Sequence, residues 1–311
     1  MTALHLAAKI VLYIAIGCVA RRLKVMPDGF DRMLTKFVMA IPLPRMIMKS
    51  FLGFDLNLDL LLTFPRIMGF SVLSMALAFC LAHVVYLRMG KTGIARSARF
   101  ALMFTNFTFF GFSVVSELYG SQGMLYYVVF TLPIRIMFYG GAAVLLGNGQ
   151  KMGKKELLKK FFCEPVIAVL IGFVLYLTQL PLPSLVTDVL ETLGNMASPL
   201  GLMLCGAIIA DAEWKGALKY PSVFAVSLAR LLVMPAFALG LFLLLGVDHE
   251  IVRSMLFYFA MPVASFLPTF CLRYDPEEAE GRLAGGYMVV VSTLLCVFTV
   301  PLWAVLLERL L

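Results

Sequence analysis

The chain has 311 residues, 61% of them hydrophobic and 14% charged, with a mean hydropathy of +0.94. A soluble domain carries roughly 25% charged residues, so the 26 Lys+Arg and 18 Asp+Glu could not cover a water-facing surface, which excludes a soluble enzyme. The net charge of +8 does not signal nucleic acid either, because in a membrane protein the distribution of cations along the chain matters more than their sum.

Apolar runs between breakers predict ten spans, near 4–22, 31–52, 62–87, 98–118, 122–147, 162–180, 185–210, 220–246, 251–271 and 284–308. At about 20 to 22 residues each these use roughly 210 residues and leave short connectors, with no room for a separate soluble domain. The first run is followed by Arg21, Arg22 and Lys24 rather than by a small-residue cleavage site, so it reads as a span and not as a signal peptide. In the second, Pro42 and Pro44 predict a bent helix, with Arg45 beside the bend or snorkelling outward. The fourth, FALMFTNFTFFGFSVVSELYG, places Thr105, Asn106, Thr108, Gly111 and Ser113 inside an aromatic run. The fifth carries Arg135, with Thr131 and Tyr139 four residues to either side on the same face. Next comes NGQKMGKKELLKK, the longest and most basic connector, a topology anchor or a lipid-binding segment.

The seventh span contains GNMASPLGLM, a second bent helix at Pro199 with Asn195 and Ser198 nearby. The eighth carries Arg230, three residues after Ser227. The ninth reads FYFAMPVASFLPTFCLRYD, where Pro262 and Pro268 predict an unwound stretch enclosing Ser265. Backbone groups freed from a helix in hydrocarbon are tolerated where they line a cavity or meet a partner, so interrupted helices in matching positions point to a transporter binding site. Arg135 and Arg230 lie about ten residues or more from a span end, about 15 Å of helix, beyond snorkelling reach. They pair with buried carboxylates or carbonyls, or they serve an anionic ligand.

Sorted by side, 18 cations fall on the face of the odd-numbered connectors and six on the other. The positive-inside rule makes the first face cytoplasmic, with both termini on the non-cytoplasmic side of a cell (inner) membrane. Gly17 and Gly172, Pro44 and Pro199, and Tyr119 and Tyr274 are each 155 positions apart. With five spans per half, this predicts an inverted repeat, residues 1–150 and 151–311. The six cysteines show no CxxC pair and read as reduced packing residues, and the three histidines are too scattered for a metal site. No nucleophile elbow or phosphate loop is present, so an enzyme is not expected and no cofactor is implied.

Together these motifs resemble the auxin efflux carrier family, bacterial members of malate/malonate permease type included. The likeness runs over essentially the whole chain and rests on Pro42 to Arg45, Asn106 to Gly111 followed by Tyr119-Gly120, ASPLGLMLCG in the seventh span, Arg230 to Pro235, and AMPVASFLP in the ninth. The resemblance implies an all-α integral membrane fold of ten transmembrane helices in two inverted five-helix repeats, the fourth and ninth broken and crossing. It implies a moving bundle against a support bundle, with a small organic anion such as malate, malonate or indole acetate at the crossover. Asn106 and the 262–268 stretch become substrate contacts by that carry-over, and homodimers occur in the family. One departure is Ser113, where the family usually has a proline, and it implies a less sharply broken fourth helix.

The expected function is a secondary transporter of a small carboxylate by alternating access, coupled to protons or to the membrane potential. A sodium-coupled carrier of the bile-acid type and a sensor that binds without translocating are the alternatives. The partners expected are the anion and the lipid bilayer.

Overall fold

The computed structural model describes residues 3–52, 54–147, 162–211 and 214–311; the basic run at 151–160 and the boundary between the two expected repeats lie outside them. The described chain is all-helical, with one isolated β-bridge, between Thr105 and Val263. Among the described residues five helical stretches are long and apolar enough to cross a membrane: Leu58–Arg88, Phe107–Leu146, Ser184–Ala210, Pro221–Leu244 and Ala279–Leu310.

In chain order the helices are α1 (Ala3–Arg22), α2 (Phe30–Ala40), α3 (Pro42–Lys49), α4 (Leu58–Arg88), α5 (Gly93–Met103) and, after a π turn at Phe107–Gly111, α6 (Phe112–Leu146). Then follow α7 (Glu164–Thr178), α8 (Ser184–Asn195), α9 (Ala197–Ala210), α10 (Trp214–Ala217) and α11 (Pro221–Leu228), which a π turn at Ala229–Val233 joins to α12 (Met234–Leu244). The last three are α13 (His249–Ala260), α14 (Leu267–Tyr274) and α15 (Ala279–Leu310). Their starts carry local signals. Asn57 accepts from the Asp59 amide at 2.8 Å, Thr92 from Ala95 at 3.2 Å and Asp248 from Glu250 at 2.9 Å, while prolines open α3, α7 and α11 where no amide donor is needed.

α6 turns back on itself. Gly120 has φ 58° and ψ −149°, a backbone that side-chain-bearing residues avoid, and the arm after it packs antiparallel to the one before. Tyr127 donates to the Phe107 carbonyl at 3.5 Å, the Phe104 and Phe138 rings meet edge to face, and Arg99 donates to the Leu145 carbonyl at 2.6 Å. The predicted spans 98–118 and 122–147 are the two arms of this hairpin.

The centre of the molecule is made by α5, the π turn, α13 and the second arm of α6, whose side chains are almost all buried. Around them, Leu62, Val72, Leu170, Val174, Phe298 and Leu302 are exposed. An apolar surface of this kind is a liability in water and the ordinary face of a protein in lipid. Small residues set the closest approaches. A Cβ on Gly17 of α1 would collide with the Met203 carbonyl of α9, one on Gly206 of α9 with the Ile14 carbonyl of α1, and one on Gly172 of α7 with the Phe51 ring after α3.

Ion pairs hold the two ends. At one end Arg21 meets Asp211 and Asp28, each at 2.8 Å, and Arg96 meets Asp275 at 2.6 Å and Glu278 at 3.2 Å. Burial opposes the Arg96 charge, but the bond to Asp275 and the fields of both carboxylates outweigh it and raise the guanidinium above its ordinary value. At the other end Lys9 meets Glu117 at 2.6 Å and Lys49 meets Glu191 at 2.5 Å. The Arg21 and Arg96 pairs tie the end of α1 to the end of α9, and the start of α5 to the segment after α14. All six cysteines are free thiols.

Candidate functional site

Two chain segments leave the helix and meet. After α5 the backbone becomes extended at Phe104 (φ −115°, ψ 134°), and after α13 it does so at Met261 (φ −79°, ψ 153°). The two segments run antiparallel at the Thr105–Val263 bridge. The Asn106 amide donates to the Pro262 carbonyl at 2.8 Å, and the Ala264 amide to the Phe104 carbonyl at 3.2 Å. Each break thereby satisfies the other's backbone, which is what an interruption shielded from water requires.

Asn106 organises the next step. Its side-chain oxygen accepts from the Phe109 amide at 3.3 Å, capping the π turn, and its amide nitrogen donates to Ser265 Oγ at 3.0 Å and to Cys205 Sγ at 3.5 Å. One side chain therefore ties together the restart of the helix, the opposite break and α9. Thr105 is buried beside Tyr258, and Thr108 is half-buried on the π turn. Gly111 leaves room for the Tyr127 hydroxyl, with which a Cβ would collide.

The break lies well before Ser113. The π turn passes continuously into α6, and Ser113 lies inside that helix, donating to the Phe109 carbonyl at 2.6 Å and to the Ser198 carbonyl at 3.4 Å. The interruption lies several residues earlier, with no proline in it, because an extended Phe104 and a capping Asn106 do the work. In the ninth span the non-helical stretch is Met261–Phe266, and Pro268 already belongs to the first turn of α14, where its missing amide costs nothing.

The ends of the four half-helices are treated unequally. The carbonyl ends of α5 and α13 are covered by Arg230, whose guanidinium, fully buried, donates to Leu102 at 2.6 Å, Tyr258 at 3.0 Å and Met261 at 3.4 Å. The Tyr258 hydroxyl donates to the Met103 carbonyl at 2.9 Å, and Ser292 of α15 accepts from the Val263 amide at 3.0 Å. The amide ends, at Asn106–Phe109 and Ala264–Phe266, line a cavity of about 20 Å³ together with Met39, Phe138 and Tyr139. The carbonyl ends are thus covered by protein donors, while the turns at which the next helices restart border a cavity, with the Asn106, Phe109 and Ala264 amides already bonded within the protein.

Other predicted residues lie elsewhere. Arg135 is buried against the rings of Phe107 and Phe112, its guanidinium carbon 4.9 and 5.5 Å from their centroids. Asn195 and Ser198 line a separate polar cleft of about 310 Å³ with Lys49, Glu117 and Gly120. Arg45 is half-buried and donates to the Ala40 carbonyl at 3.1 Å and the Ile41 carbonyl at 3.5 Å, at the end of α2. Cys205, Tyr258, Ser292 and Phe107 were not singled out from the sequence. Serine, cysteine, tyrosine and phenylalanine within apolar runs carry no local signal of a partner on another helix.

A helical protein with several membrane-crossing stretches and paired interrupted helices around a cavity has the architecture of a multi-pass membrane transporter. The family model described as "Membrane transport protein", the auxin efflux carrier-like group, matches residues 2–304, and the chain belongs to that family. An uncharacterized transporter of Methanothermobacter thermautotrophicus is 24% identical over 301 residues, 96% of each chain.

Proposed function

We propose that this protein is a secondary transporter that carries a small organic anion, such as malate, malonate or an auxin-like acid, by alternating access through the paired helix breaks. The observation that carries the reading is the unequal treatment of the half-helix ends: Arg230 covers the carbonyl ends, whereas the turns at which the next helices restart border the cavity beside Asn106. A carboxylate is the chemistry such ends attract. Thr105, Asn106, Thr108 and Ser265 surround the bound anion, with Gly111, Pro262 and Pro268 shaping the turns that present them. Arg230 acts from behind, fixing both breaks, and Arg45 does the same at the bend between α2 and α3. Ser113 and Ser198 hold the interface between α6 and α9 along which one bundle slides on the other, and Asn195 stands at the mouth of the polar cleft that admits the anion.

The ten-span inverted repeat is part of this proposal. Reciprocal packing supports it: Gly17 of α1 lies against α9, and Gly172 of α7, 155 positions later, lies against the end of α3. So does the sorting of described ion pairs to two ends, which fits both termini on the non-cytoplasmic side of a cell membrane.

The test is uptake and counterflow of radiolabelled malate, malonate and indole acetate in proteoliposomes under imposed pH, potential or sodium gradients. Saturable flux that follows pH or potential and is lost in Asn106→Ala, with the variant still purifying as a folded protein, is the expected result. Flux that follows sodium alone would replace the coupling, and absence of flux for all three anions would remove the carboxylate reading.

A further inference from the structure

Among the described residues Arg135 and Arg230 are the two most deeply buried cations, at 2% and 0% exposure against 8% for Arg99, and each guanidinium nitrogen of Arg230 meets an acceptor. Arg135 Nη2 is buried with no hydrogen-bond partner, and among the described residues no carboxylate lies within ion-pair distance of Arg135. Its guanidinium rests instead on the faces of Phe107 and Phe112. Aromatic faces attract a cation, but they accept none of its five N–H bonds with the strength of a carboxylate.

The Phe107 ring has a second role. It lines the small crossover cavity, as does Tyr139 one helical turn beyond Arg135. One ring therefore touches both an under-matched buried charge and the cavity bordered by both breaks. At about 20 Å³ the cavity holds roughly one water molecule, so an organic anion enters only if a lining side chain moves. Phe107 is the first residue of the π turn, directly after the break, while Phe138 and Tyr139 sit in the continuous second arm of α6. Phe107 therefore stands on irregular backbone beside the break, whereas those two stand on regular helix.

We propose that Arg135 is the residue that takes the carboxylate of the cargo, and that Phe107 is a shutter that covers its charge when the crossover is closed and swings aside when an anion enters. This rests on the organic-anion reading of the crossover and adds to it a specific anion ligand and a gate. In this scheme the guanidinium exchanges two ring faces for a bidentate carboxylate, so the site binds an anion strongly without leaving a bare charge in its absence.

The shutter can be tested without knowing the natural cargo. In proteoliposomes, labelling of Arg135 by the arginine-directed reagent p-hydroxyphenylglyoxal, followed by peptide mass, is expected to be at least about tenfold slower in the unmutated protein than in Phe107→Ala. Excess malonate or indole acetate is expected to suppress labelling in that variant. Arg135→Gln is expected to keep or raise the thermal midpoint in detergent while raising KM for whichever of the two anions is carried by roughly 10- to 100-fold, and Arg135→Lys to recover part of that loss. Equal labelling with and without Phe107, or labelling indifferent to both anions, would overturn the inference. Carriage of an anion with an unchanged KM in Arg135→Gln would also overturn it, while leaving the anion-carrier reading intact. Labelling unmasked by Phe107→Ala and suppressed by an anion that is not carried would support the shuttered site and count against the transport reading alone.

Discussion

At Ile41 and at Met196 the chain falters for one residue and resumes a helix at once, whereas at Phe104–Asn106 and Met261–Phe266 it runs non-helically for several. The Ile41 amide still donates to Phe37 at 2.9 Å and the Met196 amide to Leu193 at 3.3 Å, so these bends stay within their own helix. The longer breaks cannot do that, and each borrows its partners from the other. The difference shows in the arginines. Arg45, half-buried, touches two carbonyls of its own span, while Arg230, fully buried, joins carbonyls from two other helices. A bend is a local event with a local remedy; a break is a tertiary structure in itself, and for that reason it can be a site.

The sharpest way to break this comparison is to remove the cation at each place. Arg230→Met is expected to be the most damaging substitution, since it strips donors from three carbonyls buried among aromatic rings. A loss of several kcal/mol is expected, at about 1–3 kcal/mol for each buried carbonyl left without a donor, and it is read as a collapse of the thermal midpoint in detergent or as protein that inserts but does not survive extraction. Arg230→Lys, with one compact ammonium in place of a planar fork, is expected to recover only part of it. A near-neutral Arg230→Met would mean that the crossover carbonyls find other donors and that the breaks are held by the bridge alone.

Asn106→Ala sharpens the comparison from the other side. The cap to Phe109 and the tie to Ser265 are lost together, and capping losses run about 0.5–2 kcal/mol. The protein is expected to fold with a modestly lower thermal midpoint while flux in proteoliposomes falls to background. Asn106→Asp keeps the cap oxygen but replaces the donor to Ser265 with a negative charge at the amide ends, so it is expected to retain stability and still lose anion transport. Asp behaving like the parent in transport would deny that an anion visits this place.

The sequence made the bends legible through their prolines, and Pro262 marked one break correctly within a residue or two. Pro268 misled, because the same residue that breaks a helix interior is welcome in a first turn. The other break has no proline at all. Asn106 was visible as a polar residue in an aromatic run, but the extended conformation of Phe104 depends on the Ala264 amide, more than 150 residues away, and nothing near Phe104 encodes it. Likewise Arg230 and Arg135 looked equivalent as mid-span cations. Which one would meet carbonyls and which one aromatic faces was decided by helices that neither sequence neighbourhood contains. Prolines marked the bends and one of the breaks; only packing told what the interruptions would touch.

Gly120→Ala isolates a third kind of interruption, the sharp elbow within α6. With φ 58° and ψ −149° this residue holds a backbone that a Cβ opposes, and open space around it means that no neighbour adds to the cost. Strain of about 1–3 kcal/mol is expected from the backbone alone. Because the elbow borders the entrance cleft and not the crossover, the thermal midpoint should fall, with transport at low temperature slowed less than in Asn106→Ala.

Arg45→Gln is the smallest expected effect and the one that closes the comparison. Its two carbonyl contacts lie at the end of α2, where a cation near a helix C-terminus contributes about 0.3–1 kcal/mol, and glutamine keeps a donor able to reach one of them. The thermal midpoint should move by little more than the error of the measurement, and carriage should persist with a modest change in rate. If Arg45→Gln instead cost as much as Arg230→Met, the bend between α2 and α3 would be a built site of the same rank as the crossover. The mostly apolar groove that Arg45 lines with Glu164 would then be the place to look for what it holds.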